Sequence, residues 1–179
     1  MSVGNRVFLQ RELPDMELVK RYQRLPAANV ADTMSRSCAL NSEIHLISSP
    51  DRPIMAGPAL TVKARPGDNL MLHKALDMAQ EGDVIVVSND GDRTHSLMGE
   101  IMAVYAQNKG KVAGIVLDGP IRDMEELFQM SLFLYATGST PGGPYKEGPG
   151  EINVPISIGN IAVKPGDIIL GDRDGVIVI

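Results

Sequence analysis

The spacing of apolar residues changes along this chain, and the changes divide it into elements. Residues 16–25, MELVKRYQRL, place Met16, Leu18, Val19, Tyr22 and Leu25 on a roughly helical stripe that Pro26 stops. The following AANVADTMSR predicts a second short helix, capped at Asn29. In 59–64, ALTVKA, apolar Leu60, Val62 and Ala64 alternate with Thr61 and Lys63, the pattern of a half-buried strand, and Pro66-Gly67 turns the chain. NLMLHKALDMAQ, from Asn69 to Gln80, supports a helix. DVIVVS at 83–88 is short, β-branched and almost wholly apolar, as a buried strand is. A polar loop, NDGDRTHS, leads to a helical stretch at 99–110 with Gly110 as its stop, and VAGIVLD at 112–118 is another buried strand. Alternation of strands and helices in this order predicts βαβ units with at least partly parallel pairing.

A short helix from Asp123 to Phe128 and an apolar LFLYA follow, and then the longest irregular segment, TGSTPGGPYKEGPGE, crowded with Gly and Pro. The tail from Asn153 breaks into short strands at Gly-Asn, Pro-Gly-Asp and Asp-Gly, as a β-meander does. The fold class read from the pattern is therefore α/β in the middle and β-rich towards the C-terminus. The length of 179 residues suits one domain over 1–179 with a single sizeable core.

Composition narrows the function. A net charge of −5 with no Lys/Arg-rich run argues against a broad nucleic-acid footprint, while a local arginine can still bind a small anion. The single cysteine, Cys38, rules out an intrachain disulfide or a thiolate metal cluster and fits a reducing cytoplasm. No run reaches transmembrane length, and the charged N-terminus lacks a signal peptide's apolar core, so the expected location is the cytoplasm, with no membrane partner.

Nucleotide-cofactor chemistry finds no support: neither G-x-G-x-x-G nor a Walker sequence opens a helix after a strand, and the G-x-S-x-G elbow of a hydrolase is absent. His73 reads as a structural or exposed helix residue; Asp68, Asn69, Asp172 and Asp174 read as turn residues. Two places carry more chemistry. Gly99-Glu100-Ile101-Met102 puts a glycine at a helix start, where a ligand can approach free backbone N–H groups that favour anions. The sequence Asp118-Gly119-Pro120-Ile121-Arg122-Asp123 ends a buried strand with an arginine and a carboxylate side by side. The plain reading of that pair is a turn with a solvated arginine; the alternative is a site where Arg122 grips an anion and Asp123 holds a metal. If both loops lie at the strands' C-terminal edge, Arg122 and Asp123 approach Gly99.

Four segments in order, LPAANVADTM (25–34), GPALTVKARPGDN (57–69), GIVLDGPIRD (114–123) and GPGEINVPISIGNIAVKPGDIILGDRDGVIV (148–178), resemble the RraA-like family. That family includes the regulator of ribonuclease activity A and the metal-dependent hydroxy-methyl-oxoglutarate and carboxy-hydroxy-oxoadipate aldolases. The resemblance implies a swivelling β/β/α domain with a mixed sheet, and a homotrimer or dimer of trimers with the active site between subunits. It also implies roles for matched residues. In the aldolase branch the arginine, here Arg122, binds the oxo acid; the aspartate, here Asp123, holds Mg²⁺ or Mn²⁺. Backbone amides of the glycine-led segment, here Gly99 to Met102, bind the substrate carboxylate. The regulator branch departs from the Arg-Asp pair, so its presence favours the enzymes. The aldolases also continue into a C-terminal helix with an acid that reaches the neighbouring subunit's metal waters; this sequence stops at Ile179 and offers no counterpart. The expected activity is that of a class II pyruvate lyase. It cleaves a 4-hydroxy-2-oxo acid, decarboxylates oxaloacetate, or does both, with Glu100 or Asp118 assisting a water as base; the alternative is a non-catalytic oligomeric regulator.

Overall fold

The computed structural model describes residues 4–179. Its centre is β3 (Met55–Lys63), buried over its whole length except Lys63. Parallel strands follow on one side: β4 (Val84–Ser88) pairs with β3, β5 (Gly114–Leu117) with β4, and β6 (Phe133–Ala136) with β5. The short β2 (His45–Leu46) closes that edge antiparallel to β6. On its other side β3 has two partners. Its first half pairs antiparallel with β10 (Ile168–Asp172), and its end pairs antiparallel with β7 (Glu151–Ile152), which takes up β1 (Arg6–Val7) in turn. The outcome is the mixed sheet of an α/β fold.

The crossovers are helices. α3 (Leu70–Met78) links β3 to β4, α4 (Glu100–Tyr105) links β4 to β5, and α5 (Met124–Phe128) links β5 to β6. They bury Leu72, Ala75, Met102, Ala103 and Leu127 against one face of the sheet, where Leu60, Val62, Ile85 and Ile115 wait. The other face is covered by the C-terminal strands. β8 (Ile156–Ile158) and β9 (Ile161–Val163) form a hairpin, β11 (Gly175–Val178) pairs with β10, and together they pack on Val84, Val86 and Val116. The N-terminal helices α1 (Met16–Tyr22) and α2 (Ala27–Thr33) seal β10 and β11 from outside through Val19, Ala27 and Val30.

Three expectations change. The alternation in 59–64 reads as a half-buried strand, yet Thr61 is fully buried because both faces of β3 are covered; its hydroxyl donates to Val154 O at 2.7 Å. α2 is not capped at Asn29, which lies inside it; the buried Asp172 carboxylate accepts the Ala27 N–H at 2.8 Å from 145 residues away. The 99–110 helix loosens after Tyr105 into a π-helical turn, Ala106–Gly110, and the left-handed residue that ends it is Lys111 rather than Gly110.

The segment 137–151 has little regular structure but is tied down. The Ser96 amide and hydroxyl both donate to Gly142 O at 2.8 Å, Tyr145 N donates to Gly67 O at 2.8 Å and Asn69 N to Tyr145 O at 3.0 Å. Asp68, 2 % exposed, accepts from Leu70 N through one oxygen and from Glu147 N and Gly148 N through the other. One buried carboxylate thus starts α3 and fastens the loop to it. Asp68→Ala strands three backbone donors, each worth about 1 kcal/mol or more when buried, so it lowers the unfolding free energy by about 3 kcal/mol. Urea denaturation checks this, and an unchanged midpoint would contradict it.

Candidate active site

The segment that leaves β5 is held from two sides. Leu97 N donates to Pro120 O at 2.8 Å and Arg122 N to Met98 O at 3.0 Å; Ile121 N donates to Gly138 O and Thr140 N to Ile121 O, both at 2.9 Å. This clamp brings the start of α4 against the start of α5. Asp123 sits at the N-terminus of α5 in the left-handed conformation, φ 63° and ψ 49°, one that aspartate tolerates better than most residues. Its side chain therefore does not cap its own helix. Instead Oδ2 accepts the backbone N–H of Glu100 at 2.9 Å, at the head of α4. The contact is possible because residue 99 has no side chain: a Cβ there would lie 2.2 Å from Asp123 Oδ2 and 3.1 Å from Arg122 Cγ. Arg122 flanks the same carboxylate, its Nε 3.8 Å from Oδ2.

Around this pair opens a cleft of about 310 Å³. Of the residues singled out in the sequence, Gly99, Ile101, Met102, Arg122 and Asp123 line it together. Glu100 lies between two lining residues, with its amide committed to Asp123. Asp118 is elsewhere. Its carboxylate meets Arg93 Nη1 at 3.2 Å, Arg93 reaches on to Glu43 at 3.0 Å, and burial raises the Asp118 pKa against the opposing pull of the arginine. It does not line the cleft, because β5 ends one residue before it and the side chain turns towards the 89–93 loop.

Sequence reasoning passed over other residues that line the cleft. Asn69, just before α3, and His73, in its first turn, line the cleft with Ser96 and Lys146. Asn69 is no mere turn residue; its amide donates to Leu97 O at 2.9 Å and so joins α3 to the strand of chain that precedes Gly99. His73 buries Nε2 without a hydrogen-bond partner. Burial, and then the charge of Lys146, hold its pKa below the ordinary value, with Asp77 opposing. Only the helical spacing of Asn69 and His73 could have paired them in advance; nothing in the sequence brings Lys146 to the same cleft as Arg122.

Residues 27–178 match the family model RraA-like, described as Aldolase/RraA. The chain belongs to the RraA-like family. A relative from Halalkalibacterium halodurans, provisionally named a 4-hydroxy-4-methyl-2-oxoglutarate aldolase, is 36 % identical over 165 residues, 92 % of this chain and 77 % of its own length. One from Thermus thermophilus, named 4-hydroxy-4-methyl-2-oxoglutarate aldolase, is 37 % identical over 112 residues, 63 % of this chain and 68 % of its own. Among solved structures, that of the RNA-processing inhibitor RraA from Thermus superposes with a TM-score of 0.78 at 31 % identity, covering 87 % of this chain and 93 % of that one. Proteins similar to this chain thus carry names of more than one kind. No helix among the described residues is long and apolar enough to cross a membrane.

Two outcomes follow from the geometry. Gly99→Ala pushes a methyl group into Asp123 Oδ2, so the carboxylate must leave the Glu100 amide; activity at this site falls at least tenfold while circular dichroism stays native, and a fully active variant would show that the close approach is dispensable. His73 binds its proton at lower pH when folded than the roughly 6.5 of the open chain, so between those two values the unfolded state holds more protons. Its contribution to stability is complete above about pH 6.5 and declines as the pH falls below it. The wild type therefore loses more stability than His73→Gln between pH 7 and 5, and parallel denaturation curves for the two would contradict this.

Proposed function

We propose that the protein is a divalent-metal-dependent lyase acting on 2-oxo acids. It cleaves the C–C bond of a 4-hydroxy-2-oxo acid to release pyruvate, decarboxylates oxaloacetate to pyruvate, or does both. The observation that carries the reading is the Arg122–Asp123 pair, held over Gly99 in the cleft by the Glu100 amide. The names of the aldolase relatives support it.

The donor set is small. Asp123 uses Oδ2 for the Glu100 N–H, and Oδ1 has no hydrogen-bond partner among the described residues, so one carboxylate oxygen is available. No three His, Cys, Asp or Glu side chains converge on a metal position among the described residues. That set does not suit the closed cage of structural zinc; it fits Mg²⁺ or Mn²⁺, which complete their shell with waters and substrate oxygens. Such a cation, when bound, supplies a Lewis acid that polarises the 2-oxo group.

The chain's own residues do the rest. The planar fork of Arg122 binds the oxygen on which negative charge gathers as the C–C bond breaks, and retro-aldol cleavage and decarboxylation share that pyruvate enolate. At the head of α4 the Ile101 and Met102 amides have no carbonyl of their own helix to donate to, which suits them to the substrate's carboxylate. Of the two acids considered for proton transfer, Glu100 flanks the cleft and Asp118 is engaged with Arg93, so position favours Glu100. The same reading includes assembly as a homotrimer or dimer of trimers. It is supported by Ile101, Val104, Met124 and Phe128, exposed apolar side chains on α4 and α5 beside the cleft, Ile101 being 84 % exposed.

The structural likeness to the RNA-processing inhibitor favours a second reading, a non-catalytic oligomeric regulator. Pyruvate release separates the two. With Mg²⁺ or Mn²⁺ the protein liberates pyruvate from oxaloacetate or 4-hydroxy-4-methyl-2-oxoglutarate, a chelator abolishes this and the metal restores it. Arg122→Lys loses the planar fork and lowers kcat roughly a hundred- to a thousandfold, by analogy with oxyanion-hole donors. No pyruvate from any 2-oxo acid at any metal concentration would leave the regulator reading.

A further inference from the structure

A second hollow, of about 310 Å³, lies at the other edge of the parallel strands. Val112 and Ala113 lead into β5 and Leu132 into β6, and these three buried side chains line it where the strands begin, away from Arg122 and Asp123. Gln107 lines it too. This residue belongs to the π-helical turn Ala106–Gly110, a rare geometry that recurs at functional sites. Its Oε1 is buried and accepts no hydrogen bond from any described residue. A buried amide oxygen without a donor is unfavourable unless a ligand supplies one.

The charged part of the lining is Asp51 and Arg52, set between Pro50 and Pro53, whose rings stiffen the segment at both ends. The Arg52 guanidinium lies over the Phe133 ring, 5.5 Å from its centroid, and its Nη2 donates to Ala113 O at 3.3 Å. Neither Asp51 nor Arg52 has an oppositely charged side chain within ion-pair distance among the described residues. A braced cation, an acid beside it, a carbonyl oxygen lacking a donor and an apolar lining are the complement of an α-amino acid. The carboxylate suits Arg52, the ammonium suits Asp51 and the Gln107 oxygen, and an aliphatic side chain suits Val112 and Leu132.

We infer that this hollow is a binding site for a free aliphatic α-amino acid. The inference is independent of the lyase reading. Gln107 follows Gly99 by eight residues, about 12 Å at 1.5 Å per residue, so the two sites stand at the two ends of one helical stretch.

Calorimetric titration of the whole protein with L-leucine tests it, beside 4-methylpentanoate, which lacks the ammonium, and 3-methylbutylamine, which lacks the carboxylate. L-Leucine is expected to bind roughly tenfold more tightly than either, since each analogue forfeits one hydrogen-bonded charge. Its binding shifts the backbone amide resonances of Gln107, Val112 and Ala113 rather than those of Ile101 and Met102. Gln107→Met removes the unpaired oxygen, so it weakens L-leucine roughly tenfold without lowering the urea midpoint. Arg52→Met brings L-leucine down to the affinity of 3-methylbutylamine. Absence of L-leucine binding at millimolar concentration, equal affinity for the three ligands, or shifts confined to Ile101 and Met102 would each overturn the inference. So would a Gln107→Met variant that binds L-leucine like the wild type, or one that loses midpoint, because the glutamine would then be structural.

Discussion

A carboxylate and a backbone N–H from two different helix starts meet over a residue that has no side chain, and the arrangement of the site depends on that meeting. Asp123 can place Oδ2 on the Glu100 amide only if its own backbone turns left-handed and only if position 99 is glycine. Each requirement removes an alternative. The left-handed turn takes the carboxylate away from α5, which it would otherwise cap. The missing Cβ lets the two chain segments close to hydrogen-bonding distance. Arg122, next in sequence and anchored through its N–H to Met98 O, is then directed to the same place. A pair that would be two solvated charges on an ordinary turn becomes a fixed combination of one anion and one cation facing a cleft.

The larger scaffold explains why these segments can meet. Three parallel neighbours, β3–β4, β4–β5 and β5–β6, require crossovers that run the same way, so the loops after β3, β4 and β5 emerge at one edge of the sheet. Those loops carry Asn69, Gly99 and Arg122 in turn. The C-terminal strands contribute from the other face: they bury the side of the sheet that the helices leave open, and Asp172 in β10 reaches back to start α2. The β-rich tail is thus the second covering layer of the α/β part, which is why β3 has no solvent face.

Much of this was legible in the residues. β-branched runs at 83–88 and 112–118 read as buried strands because they are covered on both sides, and βαβ order predicted parallel pairing. The Gly99 and Arg122–Asp123 loops were placed together on the same grounds. What escaped was long-range. A cap supplied to Ala27 by Asp172, a carboxylate at position 68 that ties a loop to a helix, and a lysine brought by that loop to the cleft of Arg122 leave no periodic trace. Asp118 shows the converse. A carboxylate at a strand's C-terminal end looks catalytic by position alone, but Arg93 and Glu43, far away in sequence, determine where it points.

That distinction bears on how one fold carries more than one kind of name. The solved RNA-processing inhibitor and this chain share their architecture over most of both lengths, so architecture cannot separate a lyase from a regulator. The features of this chain on which the lyase reading rests are few and local: a glycine whose absent side chain admits a carboxylate, and an arginine adjoining that carboxylate. The two charged residues are not needed to build the sheet, since Arg122 and Asp123 lie outside the buried core. Residues that can change without cost to the core are the ones that can change function between relatives. The chemistry proposed for this chain is therefore to be tested at the head of α4 and in the loop that carries Arg122 and Asp123.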